Sequence, residues 1–316
     1  MQMPELDARI LELHNQRFTA YEGEVVRKSK LKERAQKNEK ARTSRREDFL
    51  KRLGLDSKLL DAEEKSDSEY EGKALEAFLK EFRPAMAARK SMRAMDAKWA
   101  AIRAADFGEA HHTVLSPYAA DIYSTAADTL QANDGESGTG AINSGWVFPD
   151  DTSHIKIKDG GHVGTACFEA YAEGPEPTFA VHFAFVPATT ASYEMTAVLA
   201  FHGFYVLRSN DSWWNCRHAH AKLNVSMNVN QYVDHGWKNF PPLIDRYEQN
   251  IEEIVSYDRT EFFDYTAVLR AGDPVVVTVR GKLDALGVGG HTYAELNFEA
   301  GTANYVWPLF LSVTQV

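Results

Sequence analysis

The chain has 316 residues, 44% of them hydrophobic and 25% charged, which excludes wholesale disorder and fibrous repeats and leaves room for two domains. No stretch approaches the roughly 18 to 20 uninterrupted apolar residues of a spanning helix, and two cysteines, Cys167 and Cys216, exclude a disulfide framework. The net charge of −10 is unevenly placed: residues 1–110 hold 24 Lys/Arg and 21 Asp/Glu, whereas residues 111–316 hold 11 and 24.

Residues 1–13 carry Glu5, Asp7 and Glu12 among few apolar side chains, unlike the basic-then-apolar order of a secretory signal. This predicts a chain that is cytoplasmic as synthesised, with two free thiols. It leaves open export by a route that needs no signal, and a Cys167 to Cys216 bridge.

The first 110 residues contain four glycines and two prolines and are rich in Ala, Glu, Lys, Arg and Leu, all good helix formers apart from those punctuating residues. Leu6, Ile10 and Leu13 form one apolar stripe. Residues 27–52 then hold twelve basic and four acidic side chains, with no large apolar residue between Leu31 and Phe49. Such a helix has no stripe to bury, so it bridges solvent or is covered by something anionic. Arg27, Lys28, Lys30, Lys32, Arg34, Arg45 and Arg46 are its candidate assembly residues.

Gly54 and Asp56 mark a turn, after which residues 56–81 reverse sign with nine acidic and four basic side chains. Leu75, Phe78, Leu79 and Phe82 give this stretch an apolar face, and Pro84 is expected to interrupt it. Opposite charge across a turn predicts an antiparallel helical hairpin, zipped partly by charge. Ala88, Met92, Met95, Trp99 and Ile102 step by four and three, a seam of two heptads that suits a short coiled coil or simple packing on the rest of the protein. The basic run has enough charge to contact phosphates, but it lacks interleaved aromatics and has an acidic neighbour. Pairing within or between copies of the chain is therefore favoured over nucleic acid.

Residues 111–145 read as a transition or linker, with a helical patch over 118–130 running into Asn133, Asp134, Gly135, Gly138 and Gly140. Beyond residue 110 lie sixteen of twenty glycines, twelve of seventeen phenylalanines and five of six tryptophans. Aromatic and β-branched runs between turn residues predict strands: 179–186, 196–207, a run of about twenty residues from Trp213 to Val233, 275–279, 293–298 and 305–313. The stretch 243–255 suits a short helix or a strand equally. In the 213–233 run, Ala219, Ala221, Leu223, Val225, Met227 and Val229 alternate with His218, His220, Lys222, Asn224, Ser226 and Asn228. One face is buried and one is wet, as in antiparallel sheets, and the length predicts a bulge part-way. The expected fold is α+β: a charged helical region over 1–110, the linker 111–145, and an antiparallel β-sandwich of jelly-roll type over 146–316.

The one constellation with metal-ligand spacing is Cys216, His218 and His220, which alternate on one strand so that their side chains share a face. The His-x-His resembles that of the metal-dependent jelly-roll enzymes called cupins, and that resemblance would imply a divalent metal and an enzymatic role. It stops at two residues: where cupins add a glutamate, this chain has Ala221, Lys222, Leu223, Asn224 and Val225, and Lys222 would repel a cation. Ser137 lacks the second glycine of a nucleophile elbow, no phosphate loop is present, and the pairs Glu252/Glu253 and Glu261/Asp264 fit a solvated acidic surface. Trp213 and Trp214 are adjacent, so Trp214 falls on the wet face with His218 and His220, where stacking and hydrogen bonding could hold a sugar or a protein receptor. The sequence favours a non-enzymatic structural or binding protein that self-associates through its helical region and needs no cofactor. A His218/His220 metalloenzyme, and a toxin or adhesin that binds glycan or membrane through its β domain, are the alternatives.

Overall fold

A computed structural model describes residues 8, 12, 16, 19, 23, 27, 48–49, 51–54, 57–87, 112–123, 130–131, 154–163, 176–210, 217–231 and 233–316. Among the described residues, the helix α1 (Ser57–Ala87) precedes fourteen strands. These are β1 (His112–Leu115), β2 (Ala119–Tyr123), β3 (Leu130–Gln131), β4 (His154–Ile155), β5 (Ile157–Val163), β6 (Thr178–Phe185) and β7 (Ala191–Ser209). They continue as β8 (His218–Asn230), β9 (Asp234–Asn239), β10 (Ile244–Glu248), β11 (Ile251–Leu269), β12 (Val275–Val288), β13 (Tyr293–Phe298) and β14 (Tyr305–Gln315).

The strands form two antiparallel sheets. The larger has eight strands in the order β3-β4-β14-β7-β13-β5, with β1 beside β14 and β11 beside β7. The smaller has six in the order β10-β8-β12-β6-β2, with β9 on the same edge of β8 as β10. The alternation in β8 sets its register against β12: Ala219, Ala221, Leu223, Val225, Met227 and Val229 are all buried between the sheets. The bulge predicted for this strand falls in its pairing with β9, between Asn228 and Asn230. Of the longer run expected there, Trp213 to Cys216 lie outside the described residues.

The core between the sheets is aromatic. Phe201 lies 6.3 Å from Phe179 and 5.9 Å from Phe298, ring to ring. Two glycines make room for this: a Cβ on Gly281 would lie 2.2 Å from Phe179, and one on Gly203 would lie 2.4 Å from Phe298. The rings thus occupy slots over bare backbone, which only glycine provides. On β7 the odd residues Leu199, Phe201 and Leu207 face this core. The even residues Val198 and Ala200 join a cluster with Tyr305, Trp307, Leu309 and Phe310, and Phe204 and Val206 join one with Leu75 and Tyr293. A strand buried on both faces reads as an almost continuous apolar run rather than an alternation.

Three sequence expectations need correction, and a fourth, open between helix and strand, is decided. First, among the described residues α1 packs on the larger sheet and not on a second helix, so the helical hairpin is not what holds it. Leu75, Phe78 and Leu79 cover Phe204, Val206 and Tyr293. Glu71 Oε2 accepts a 3.0 Å bond from Arg208 Nη2, and Glu71 Oε1 a 2.7 Å bond from Asn210 Nδ2. Second, the helix continues through Pro84 to Ala87, since a proline near a helix end sacrifices one hydrogen bond without stopping the chain. Third, the helical patch expected over 118–130 is strand where it is described, in β2 and at the start of β3, because Ala120 and Ile122 alternate into the core; residues 124–129 lie outside the described residues. Fourth, the ambiguous stretch after residue 243 is strand, β10 and then β11.

The turn expected at Gly54 is present: Gly54 adopts a φ of 70°, and its amide donates to Lys51 O, closing the helical turn that ends at Arg52. Arg27 is helical and exposed, while Lys28, Lys30, Lys32, Arg34, Arg45 and Arg46 lie outside the described residues, as does the seam from Ala88 to Ile102. No described helix is long and apolar enough to cross a membrane.

Candidate functional site

The outer face of the smaller sheet collects polar side chains because the even positions of β8 and β12 point away from the core. At one end stand His218 and His220, both half-buried. β10 pairs with β8 so that Tyr247 is opposite His220 and Asp245 is opposite Lys222. β12 places Asp284 opposite Lys222 from the other side. His220 therefore sits between two carboxylates, with Nε2 3.7 Å from Asp245 Oδ1 and Nδ1 3.7 Å from Asp284 Oδ2. Lys222 Nζ lies 3.5 Å from Asp245 Oδ2. The Tyr247 ring is 4.8 Å from the His218 ring and 6.2 Å from that of His220, and the residue is 59% exposed. An aromatic ring thus stands in solvent, flanked by two imidazoles, two carboxylates and an ammonium.

The face continues along β8. Lys282, opposite Asn224, lies 3.5 Å from Glu176 Oε2. Arg280, opposite Ser226, donates to its hydroxyl over 3.3 Å and stacks 4.0 Å above the Trp237 ring. Asn228 Nδ2 donates to Asp234 Oδ1 and to Gly236 O, while Tyr265 donates its hydroxyl to His235 O, so the strand carrying Trp237 is pinned from two sides. Tyr247 and Trp237 lie along the same edge of β8, eight residues apart, a span of about 26 Å at 3.3 Å per residue.

Other polar groups are buried under the opposite sheet. Lys156 Nζ donates to Gly301 O and Asn304 O, and burial lowers its pKa, with Glu299 opposing the shift. Tyr257 is raised by burial, by the Glu261 charge and by donating its hydroxyl to Glu261 Oε1 over 2.9 Å. These groups hold the scaffold together.

Of the residues singled out from sequence, the structure brings His218 and His220 together on the wet face; Cys216 and Trp214 lie outside the described residues. Among the described residues, no group of three or more His, Cys, Asp or Glu is placed so that it could hold a metal ion. Both ring nitrogens of His220 already face carboxylates, and the Lys222 ammonium shares Asp245 with it. Sequence reasoning missed Asp245, Tyr247 and Asp284. The alternation of Ile244, inward, with Asp245 and Tyr247 was the available signal for the first two. Asp284 carries no signal until β12 is paired with β8.

No family model matches the chain, and no curated protein matches it. Solved structures with which it aligns include a native family 35 carbohydrate-binding module from Clostridium thermocellum, at 11% identity over 65% of this chain and 99% of that one, with a TM-score of 0.21. A carbohydrate-binding module from the Cellvibrio mixtus lichenase 5A, in complex with cellotriose, gives the same figures. Murine APRIL aligns at 10% identity over 65% of this chain and 99% of that one, with a TM-score of 0.20. At such scores the alignments carry no argument, and the sandwich rests on its own strand pairing.

Proposed function

We propose that this is a non-enzymatic binding protein whose β-sandwich, of jelly-roll type, takes a saccharide on the outer face of the smaller sheet. The observation that carries this reading is Tyr247. Its exposed ring offers an apolar surface on which the C–H face of a pyranose stacks. Around it, Asp245 and Asp284 accept hydrogen bonds from sugar hydroxyls, while Lys222 and the imidazoles of His218 and His220 supply donors. The groups are held by strand register and by their ion pairs, so little ordering entropy is lost on binding. Trp214, adjacent to this face in sequence, is a further stacking candidate. No nucleophile or metal centre is required, and no cofactor is invoked.

The charged region over 1–110 is assigned to self-association, with Arg27, Lys28, Lys30, Lys32, Arg34, Arg45 and Arg46 meeting the acidic remainder of a neighbouring copy. The support is electrostatic: 24 Lys/Arg in the first 110 residues against 24 Asp/Glu in the rest. Such an association weakens as salt shortens the screening length from about 30 Å at 0.01 M to about 3 Å at 1 M. Light scattering at low and high salt tests it, and a salt-indifferent monomer contradicts it. For the saccharide site, immobilised neutral and acidic oligosaccharides are offered to the protein and to Tyr247→Ala. Binding that drops at least tenfold in the variant supports the reading; equal binding by both proteins, or none by either, removes it.

A further inference from the structure

We propose that the outer edge of β11 is a docking site for a basic, extended polypeptide strand, which adds to the larger sheet as its next member. β11 is 19 residues long and, among the described residues, pairs only with β7, in one unbroken register from Ile251 to Leu269. Lys238 Nζ donates to Asp264 O over 2.6 Å from the side opposite β7. The backbone of Asp264 therefore faces the outer edge. Residues in a strand alternate in the direction of their amide and carbonyl groups, so Ser256 and Thr260 face that edge as well.

Sheet edges are usually blunted, and among the described residues this one is blunted at one end. Lys238 covers Asp264, and Tyr265 reaches across to His235 O and Gly236 O. Toward the middle of the strand the edge instead opens onto a groove of about 340 Å³, walled on one side by the segment from Phe240 to Leu243 and on the other by Tyr257, Arg259, Glu261, Phe262 and Phe263 of β11. This wall is rigid, because the amides of Phe240 and Leu243 donate to Val225 O and Leu223 O, and Pro241 and Pro242 between them have no amide to offer. Phe262 is 54% exposed at its rim. A row of backbone groups beside a groove that offers both aromatic and charged side chains is the arrangement that binds peptides by strand addition.

Charge names the occupant. β11 carries five acidic residues, Glu252, Glu253, Asp258, Glu261 and Asp264, against one basic, Arg259. An added strand alternates its side chains between the groove and the opposite face. The pattern that fits is therefore apolar into the groove and cationic outward, level with the exposed Asp264. This surface is separate from the saccharide face.

The test uses the full chain and three fluorescein-labelled octapeptides read by anisotropy: alternating Lys and Val, alternating Glu and Val, and the Lys-Val peptide N-methylated on alternate residues. The expected result is saturable binding of the Lys-Val peptide, and binding at least tenfold weaker for each of the others. Equal binding of the N-methylated peptide reduces the effect to charge alone and overturns strand addition; equal binding of the Glu-Val peptide overturns the assignment of a basic partner; no binding of any peptide overturns the site. Thr260→Pro removes an amide that faces the edge and leaves the ladder to β7 in place, so it should abolish binding while the β circular dichroism persists. Should that variant misfold, Phe262→Ser, at an exposed position, should weaken Lys-Val binding at least fivefold, and an unchanged affinity overturns the groove.

Discussion

Replacing Glu71 by alanine should loosen α1 from the larger sheet. Glu71 is 2% exposed and its two oxygens accept from Arg208 and Asn210, while Arg208 is itself buried and retains Glu252 Oε2 at 3.1 Å from its Nε. Removing one partner of a buried pair costs about 3–5 kcal/mol, because the remaining charge is stranded. Glu252 is mostly exposed and moderates that penalty, so the lower end, about 3 kcal/mol, is expected. Glu71→Gln keeps the bond to Asn210 by flipping its amide and should cost about half as much. The loss is local: Leu75 and its neighbours contribute the rest of the docking surface, and the sandwich core lies on the other side of β7. Amide hydrogen exchange in α1 should accelerate by about two orders of magnitude for a loss near 3 kcal/mol, while β8 and β12 keep their protection. If exchange in α1 is unchanged in Glu71→Ala, or accelerates equally in every strand, the docking described for this helix is wrong.

Gly281→Ala should destabilise the sandwich by about 1–3 kcal/mol, the cost of overpacking a filled core, since its Cβ would meet the buried ring of Phe179 at 2.2 Å; urea denaturation checks it, and a neutral effect contradicts the slot. Alkaline stability should fall above pH 10. Tyr257, Tyr205 and Tyr265 are all raised above their ordinary value of 10.0, chiefly by burial, so their contribution is complete below pH 10 and is lost as pH climbs from there toward their folded values. Lys156 works oppositely: lowered beneath 10.5 by burial, it adds stability as pH rises from its folded value toward 10.5. Tyr257→Phe should flatten the alkaline limb of a denaturation series and cost about 1 kcal/mol at neutral pH through the lost bond to Glu261; an unchanged limb argues against the burial of that hydroxyl.

Those elements whose periodicity a single sheet face imposes were legible in the sequence. β13 falls at 293–298 as expected, bounded by the aromatic residues Tyr293 and Phe298, and β8 shows its alternation directly. β7 was legible as a strand but not as one covered on both faces, because a continuous apolar run does not say what lies on each side. The region 118–130 was misread because its alanines suit a helix, and only pairing of Ala120 with Val181 fixes them in a strand. The contrast of a basic run and an acidic run suggested a hairpin, but the decisive contact of α1 is Glu71 to Arg208, 137 residues away in sequence, which no local charge pattern encodes. Likewise His218 and His220 were visible as neighbours on one strand, whereas Asp245, Tyr247 and Asp284 reach them through registers set by β10 and β12.

The most direct test of the saccharide face is a titration of isotope-labelled protein with a panel of soluble oligosaccharides, followed by amide chemical shifts. The account predicts shifts concentrated on β8, β10 and β12 around His218, His220, Asp245, Tyr247 and Asp284, with saturation that Tyr247→Ala weakens by at least tenfold. Shifts that map elsewhere, or saturation untouched by that substitution, would contradict it.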